Sequence, residues 1–409
     1  MSSMASPVRV LHSFPHKIGA DRICLIAWHQ VVGAAAAGAD VLAYVGAVSR
    51  PLPPDVEVRT SLARGRVRLP YRVLGRLRSL ALHDAIVARA LPRVRHRIDV
   101  VHVWPLAAAR TIEAATRLGI PTVLERPNAH TRFAYTVVQQ ECERLGVSLP
   151  PDHEHAFNPE ILRLEEHEYE AADYLLCPSE FVVKTFLDEG FPPEKLLRHS
   201  YGFDPSVFHP GPELPASPGL NVLYVGVAAV RKGLHFALEA WLRSPASSTG
   251  RFLIAGGFVD SYRERLADQL RHPSVEVLGH RNDIPDLMRQ ADVLVLPTLE
   301  EGYGLVCAEA VASGCVPVVS DACTDLCRHM TNALVHHAGD VDTLTAHLTL
   351  LHEDRALLER LREGALASAH EATWDEAGRV LVAAYVSAVE GRATPAHAEQ
   401  ASRTAATPR

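Results

Sequence analysis

Short apolar runs alternate with segments of helical periodicity along most of the chain, and that alternation narrows the available folds more than any other feature. Val8 to Leu11 reads as a first strand, Asp21 to Ala37 as a helix stopped by Gly38, and Val41 to Val45 as a second strand. Asp99 to Val103, Pro121 to Leu124 and Tyr174 to Cys177 continue the series, the last after a long helix through Glu160 to Ala172. Strands separated by helices pair in parallel and need helices on both faces of the sheet, which predicts a doubly wound α/β architecture. The chain has 409 residues, beyond the roughly 250–300 at which one core stops growing, so two such domains are expected. Tyr201 to Pro212 is rich in turn formers and precedes a fresh series: Asn221 to Val225, Phe252 to Ala255, Val275 to Leu278, Val293 to Leu296 and Val316 to Val319. The division read from this is a first domain over 1–202, a linker over 203–214, a second domain over 215–372, a long helix over 373–390 and a disordered tail over 391–409.

A net charge of −7 with 22% charged residues is ordinary for a globular protein. No run of 18 apolar residues occurs, since even Gly33 to Val48 is broken by Asp40, and the first residues show no basic-then-apolar pattern, so a cytoplasmic protein is expected. Cysteines 24, 142, 177, 307, 315, 323 and 327 form no C-x-x-C pair and read as reduced core residues; Cys323 and Cys327 with His329 make no persuasive metal site. Charge is nevertheless uneven. Arginines stand at 59, 64, 66, 68, 72, 76, 78, 89, 93, 95 and 97 against a single acid, Asp84, and Tyr71, Val73, Leu74, Leu77, Leu80 and Leu82 offer an apolar face. Such a segment is either a core helix with a solvated basic face or a patch for an anionic membrane or phosphate-bearing acceptor, with peripheral attachment as its consequence. No nucleic-acid-binding motif accompanies it.

The stretch from Leu296 to Val319 carries the most chemistry. A buried strand ends at Pro297, Gly302 and Gly304 permit a tight turn, and Leu305 to Ser313 reads as a helix with Gly314 as its stop. Glu301 stands at the head of that helix and Glu309 one to two turns down it. The unpaired N–H groups and positive dipole end of a helix N-terminus favour an anionic or hydroxyl-rich ligand, and an ionised carboxylate accepts strong hydrogen bonds from vicinal hydroxyls.

This segment resembles the paired-glutamate motif of retaining glycosyltransferases of the family 4 type, which have the GT-B fold of two Rossmann-like domains facing a cleft. The resemblance extends over residues 7–390, with specific motifs only in the second half. It implies that Glu301 contacts donor-sugar hydroxyls, that Gly302, Tyr303 and Gly304 lie against sugar and phosphates, and that Glu309 binds the ribose. Tyr224 to Gly233 resembles the donor phosphate site, with Lys232 neutralising the departing diphosphate. Val227 stands where the family usually has Arg, and Arg231 is the candidate substitute. Leu278 to Asp292 resembles the segment whose loop, here His280 and Arg281, receives the nucleotide base.

The first domain matches more thinly. Gly19 is the one glycine in the loop that approaches donor and acceptor, and His16 and Lys17 are expected to supply polarity beside it. His102 matches the first histidine of a His-x-His strand end whose second place is taken by Trp104. Arg126 and His130 follow a strand on the carboxyl-end rim, where open α/β sheets bind ligands, and are candidates for acceptor or phosphate contact. The loop with His153 and His155 reads as solvated.

The resemblance therefore implies a metal-independent, retaining glycosyltransferase with a nucleotide diphosphate sugar as co-substrate, no cofactor and no metal. The acceptor class, whether glycan, lipid-linked or small molecule, stays open. Two alternatives are an inactive nucleotide-sugar-binding subunit, suggested by Val227, the single-glycine loop and Trp104, and a GT-B sugar-nucleotide epimerase.

Overall fold

The computed structural model describes residues 6–64, 67–68, 75–212 and 219–392. Two parallel sheets organise it. The first has seven strands: β1 (Arg9–Ile18), β2 (Asp40–Val48), β3 (Glu57–Thr60), β6 (Val100–Val103), β7 (Thr122–Glu125), β8 (Tyr174–Cys177) and β9 (Leu196–Arg198), in the order β3-β2-β1-β6-β7-β8-β9. A two-residue ladder, β4 (Ala63–Arg64) with β5 (Val67–Arg68), lies outside it. The second has six: β10 (Asn221–Val225), β11 (Arg251–Ala255), β12 (Val275–Gly279), β13 (Val293–Leu296), β14 (Val316–Ser320) and β15 (Leu334–His336), in the order β12-β11-β10-β13-β14-β15. Each sheet reverses its strand order once, between β1 and β6 and between β10 and β13. Connections there diverge to opposite faces and leave a crevice at the strand carboxyl ends.

The helices are α1 (Ile23–Ala36), α2 (Arg76–Val94), α3 (Ala109–Leu118), α4 (Thr131–Leu145), α5 (Pro159–Ala171), α6 (Glu180–Asp188), α7 (Leu234–Arg243), α8 (Asp260–Arg265), α9 (Ala267–Leu270), α10 (Ile284–Gln290), α11 (Leu305–Ser313), α12 (Val341–Glu353), α13 (Arg355–Ser368) and α14 (Trp374–Arg392). In the second sheet the expected strands agree with the observed ones to within a residue or two. The first strand is longer than expected: β1 follows β2 past a bulge between Phe14 and Lys17, so His16 and Lys17 lie in the strand and not in a loop. Pro15 lacks the ladder donor and steps out of register opposite Gly46, where a Cβ would collide with the Pro15 carbonyl. Helix α1 starts at Ile23 because Arg22 takes a left-handed φ of 57°.

Chain crossings between the sheets run side by side. Phe203 N–H donates to Ala372 O at 2.9 Å and Trp374 N–H to Phe203 O at 3.3 Å. Helix α14 then packs on α1, where Gly33 and Gly378 face each other so closely that a Cβ on Gly378 would strike the Gly33 backbone. Trp374 stacks on His29 with ring centroids 4.2 Å apart. In the other direction α4 leaves the first sheet. Val138, Cys142, Leu145 and Val147 join the core cluster that contains Tyr224, Trp241 and Val293 of the second.

Within the basic stretch, Asp84 is buried and accepts the N–H groups of Arg110 and Thr111 at 2.9 Å each, capping α3. Leu80 is core, while Arg76, Arg78, Leu82, Arg89, Arg93 and Arg95 are exposed on or just beyond α2. Tyr71, Val73, Leu74, Arg66 and Arg72 lie outside the described residues, as do residues 213–214 of the expected linker and 393–409 of the expected tail, whose first two residues, Gly391 and Arg392, instead continue α14.

Candidate functional site

Two loops that flank the second sheet's switch point meet at its carboxyl edge. After β10 the chain turns through Gly226 to a short 3-10 turn, Val230–Lys232. After β13 it runs through Pro297 to Glu301. The loops are laced together: the Arg231 carbonyl accepts from Leu299 N–H at 2.8 Å and from the Thr298 hydroxyl at 2.9 Å. Side chains then interlock. Arg231 Nη1 donates to the Glu300 carbonyl at 3.0 Å and lies 3.3 Å from the Glu300 carboxylate and 3.4 Å from the Glu301 carboxylate. Lys232 Nζ contacts the same Glu301 oxygen.

Burial and charge compete here. Glu301 is 9% exposed, and burial alone would raise its pKa; Lys232 and Arg231 outweigh that and hold it below the ordinary carboxylate value. Glu300 is fully buried. Its carboxyl is lowered to about 2 because Arg231 and a hydrogen bond from His155 overcome the burial penalty. Burial would also lower the Arg231 pKa, and Glu301 and Glu300 reverse that. The site thus carries two ionised carboxylates against two cations.

Beyond Glu301 the chain meets the first domain. Gly302 sits where a Cβ would collide with the Pro127 carbonyl, and its own carbonyl accepts from the Ser179 hydroxyl at 2.6 Å. Gly304 takes φ 72° and opens α11, whose N-terminus has no side-chain cap. Tyr303 is packed under this turn against Tyr201 at 5.6 Å. Glu309 is partly buried on α11, and its carboxylate makes no hydrogen bond or ion pair among the described residues. Burial raises its pKa to about 7.

The first-domain candidates divide. Gly19, with φ 76°, forms the β1 to α1 turn beside Trp28 and Arg50. His16 and Lys17 are partly buried on β1, and burial followed by Arg76 lowers His16 to about 4. His102, the matched strand-end histidine, is fully buried: Nδ1 pairs with Tyr385 Oη of α14 at 2.7 Å and Nε2 lies 3.2 Å from Glu125. Glu125 also accepts from Gln30 at 2.7 Å and Tyr201 at 2.6 Å, and His199 lies 3.1 Å away, a network that seats α14. His130 likewise turns away from the rim. It caps α4 through Arg132 N–H and packs on Tyr169 and Phe186, and burial lowers it to about 3. Arg126 is buried with its guanidinium 4.3 Å from the Tyr169 ring centre. Arg281 is exposed at the far edge of the second sheet and donates to Asp283 at 2.8 Å.

Two residues of the cluster were not expected. Glu300 had no signal beyond its place beside Glu301. His155, in the loop read as solvated, is 7% exposed and donates from Nε2 to Glu300 at 2.9 Å. Helix α4 carries that loop onto the second domain, which the local sequence does not reveal.

Comparisons with known proteins bear on the family and the fold. A family model described as Glycosyltransferase Family 4 matches residues 27–217, and one described as Glycosyl transferases group 1 matches 219–354. The chain is 30% identical over 171 residues to the O-antigen chain mannosyltransferase B of Escherichia coli, covering 40% of this chain and 45% of that one. The chain thus spans less than half the length of the first curated relatives it matches. A D-inositol 3-phosphate glycosyltransferase of Pseudarthrobacter chlorophenolicus is 25% identical over 391 residues, 87% of this chain and 88% of that one. Among solved structures, Anabaena HepE in complex with UDP superposes with a TM-score of 0.62 at 18% identity, covering 94% of this chain and 100% of that one, which establishes the two-domain fold. With two matched models that together run from residue 27 to 354, the chain belongs to the family 4, group 1 glycosyltransferases of GT-B fold.

Proposed function

We propose that the protein transfers a sugar from a nucleoside diphosphate sugar to an acceptor hydroxyl, with retention of anomeric configuration and without a metal ion. The observation that carries the reading is the cluster of Glu301, Lys232 and Arg231 at the head of α11, with Glu309, unpartnered among the described residues, further along that helix. Two cations at the strand carboxyl ends supply the positive charge that a departing diphosphate needs, preorganised where negative charge grows. Glu301 takes sugar hydroxyls and Glu309 takes ribose hydroxyls, each as a charge-assisted acceptor. A relative solved with UDP on the same fold supports a nucleotide donor. The rival reading of a binding subunit draws on Val227, which is 47% exposed and offers no cation; Arg231 occupies that need instead.

Transfer releases free nucleoside diphosphate and a glycoside, whereas an epimerase releases an isomeric donor and a binding subunit releases neither. Assay of product with excess chelator, followed by proton NMR of the new linkage, tests the proposal. Activity restored only by added magnesium or manganese, or an inverted anomer, overturns the mechanism. The exposed arginines of α2 are proposed in addition to face an anionic membrane or a phosphate-bearing acceptor.

A further inference from the structure

We propose that His155 and Glu300 are positioning residues for this transfer, holding the Arg231 guanidinium so that its free edge faces the leaving diphosphate. The inference rests on the donor-site reading above. Arg231 has five N–H donors in a rigid fork. Only Nη1 is engaged, by the Glu300 carbonyl, the Glu300 carboxylate and the Glu301 carboxylate at 3.0, 3.3 and 3.4 Å. The structure gives Nε and Nη2 no protein partner among the described residues, so one edge of the fork is fixed and the other is left for an anion.

Glu300 can serve as that anchor only if it stays ionised while fully buried, and an isolated buried carboxylate is costly. His155 Nε2–H supplies the second partner at 2.9 Å. Its loop is delivered by α4, which is bound to the second domain through its apolar face and through Glu141, 2.8 Å from His235 Nε2. A segment from the first half of the chain thereby completes a site otherwise built from the second. Among the described residues the second carboxylate oxygen of Glu300 has no hydrogen-bond partner, so His155 and Arg231, both at the first oxygen, are the side chains that hold this carboxylate.

Calorimetric titration of the full chain with UDP, GDP and ADP, and with the matching monophosphates, tests the proposal on His155→Ala, His155→Gln, Arg231→Ala and the His155→Ala/Arg231→Ala double variant. We expect His155→Ala to weaken the preferred diphosphate roughly ten- to hundredfold, the loss typical of a hydrogen bond to a charged group. The monophosphate should bind as before, His155→Gln should regain most of the affinity through its amide N–H, and the double variant should lose no more than Arg231→Ala alone. A His155→Ala protein with unchanged diphosphate affinity, an equal loss for the monophosphate, or additive losses in the double variant overturns the positioning role and leaves the donor site standing. Wild-type protein that binds none of these nucleotides overturns the donor-site reading itself.

Discussion

At the scale of single residues, the two motif carboxylates sit in opposite electrostatic states. Glu301 is held ionised by Lys232 and Arg231, while Glu309 has no counter-charge among the described residues and burial raises it to about 7. Glu309→Ala should therefore weaken both bare nucleoside diphosphate and sugar nucleotide, whereas Glu301→Ala should leave the bare nucleotide nearly unchanged and impair transfer. Calorimetry on the two variants checks this, and equal losses of bare nucleotide would show the roles to be misassigned. Glu309 also sets a pH dependence. Its folded pKa lies above the unfolded value, so the folded state binds the extra proton, and stability falls as pH rises from about 4.5 through about 7. Glu309→Gln removes that cost and should be more stable than wild type at pH 8, by about 1–3 kcal/mol, with the difference vanishing below pH ~4.5. Thermal melts of both proteins across that range measure it; a Gln variant less stable at pH 8 would contradict the description of a partly buried carboxyl with no counter-charge among the described residues. In the ligand-free protein, nucleotide affinity should also fall as the pH drops through about 7, because ribose hydroxyls need the ionised acceptor.

At the scale of elements, helix α14 shows how a local pattern acquires a distant role. The sequence marks it as a long helix over 373–390, and its contact with α1 of the first domain is seen only in the tertiary structure. The physical reason it docks is the pair Gly33 and Gly378, which lets α1 and α14 approach without intervening side chains, with Tyr385 hydrogen-bonded to His102 beneath. Gly378→Val should push the helices apart and destabilise the protein by about 1–3 kcal/mol, the usual cost of overpacking. Denaturant unfolding reads that loss, and an unchanged midpoint would mean that the contact contributes nothing. Helix α11 was read to the residue, Leu305 to Ser313, because Gly304 and Gly314 both take left-handed φ and mark its two ends. Strand β1 was read too short because its continuation depends on Gly46 of the neighbouring strand making room for Pro15, a contact no window along β1 contains.

At the scale of the whole molecule, charge is segregated by fold. The acid that interrupts the basic stretch, Asp84, is buried as a cap for α3. Exposed on and just beyond α2 are Arg76, Arg78, Arg89, Arg93 and Arg95, with Leu82 exposed beside them. No described helix is long and apolar enough to cross a membrane. A surface patch of this kind gains up to about 1 kcal/mol per basic side chain near an anionic lipid surface and is screened by salt. Sedimentation with vesicles of anionic lipid should show association at low salt that fades at high salt and weakens in the Arg76→Glu/Arg78→Glu variant, with nucleotide binding intact. Association indifferent to lipid charge, or none at low salt, would leave the patch as solvated surface.

The amino-acid sequence by itself determined the two series of alternating strands and helices, five of the six strands in the second sheet, both ends of α11, and the pairing of Glu301 with Glu309 on one turn and helix, because each of these is written in local periodicity, turn chemistry and spacing; β15 was not read. Tertiary structure alone decided which polar residues meet. His102 and His130 sit at strand and helix ends that the sequence marks as a rim, yet packing against Tyr385 and Tyr169 turns them inward. His155 lies in a polar loop with no local signal, yet α4 carries it 145 positions along the chain to Glu300. Burial and long-range pairing depend on how elements cross, and no window of neighbouring residues encodes a crossing.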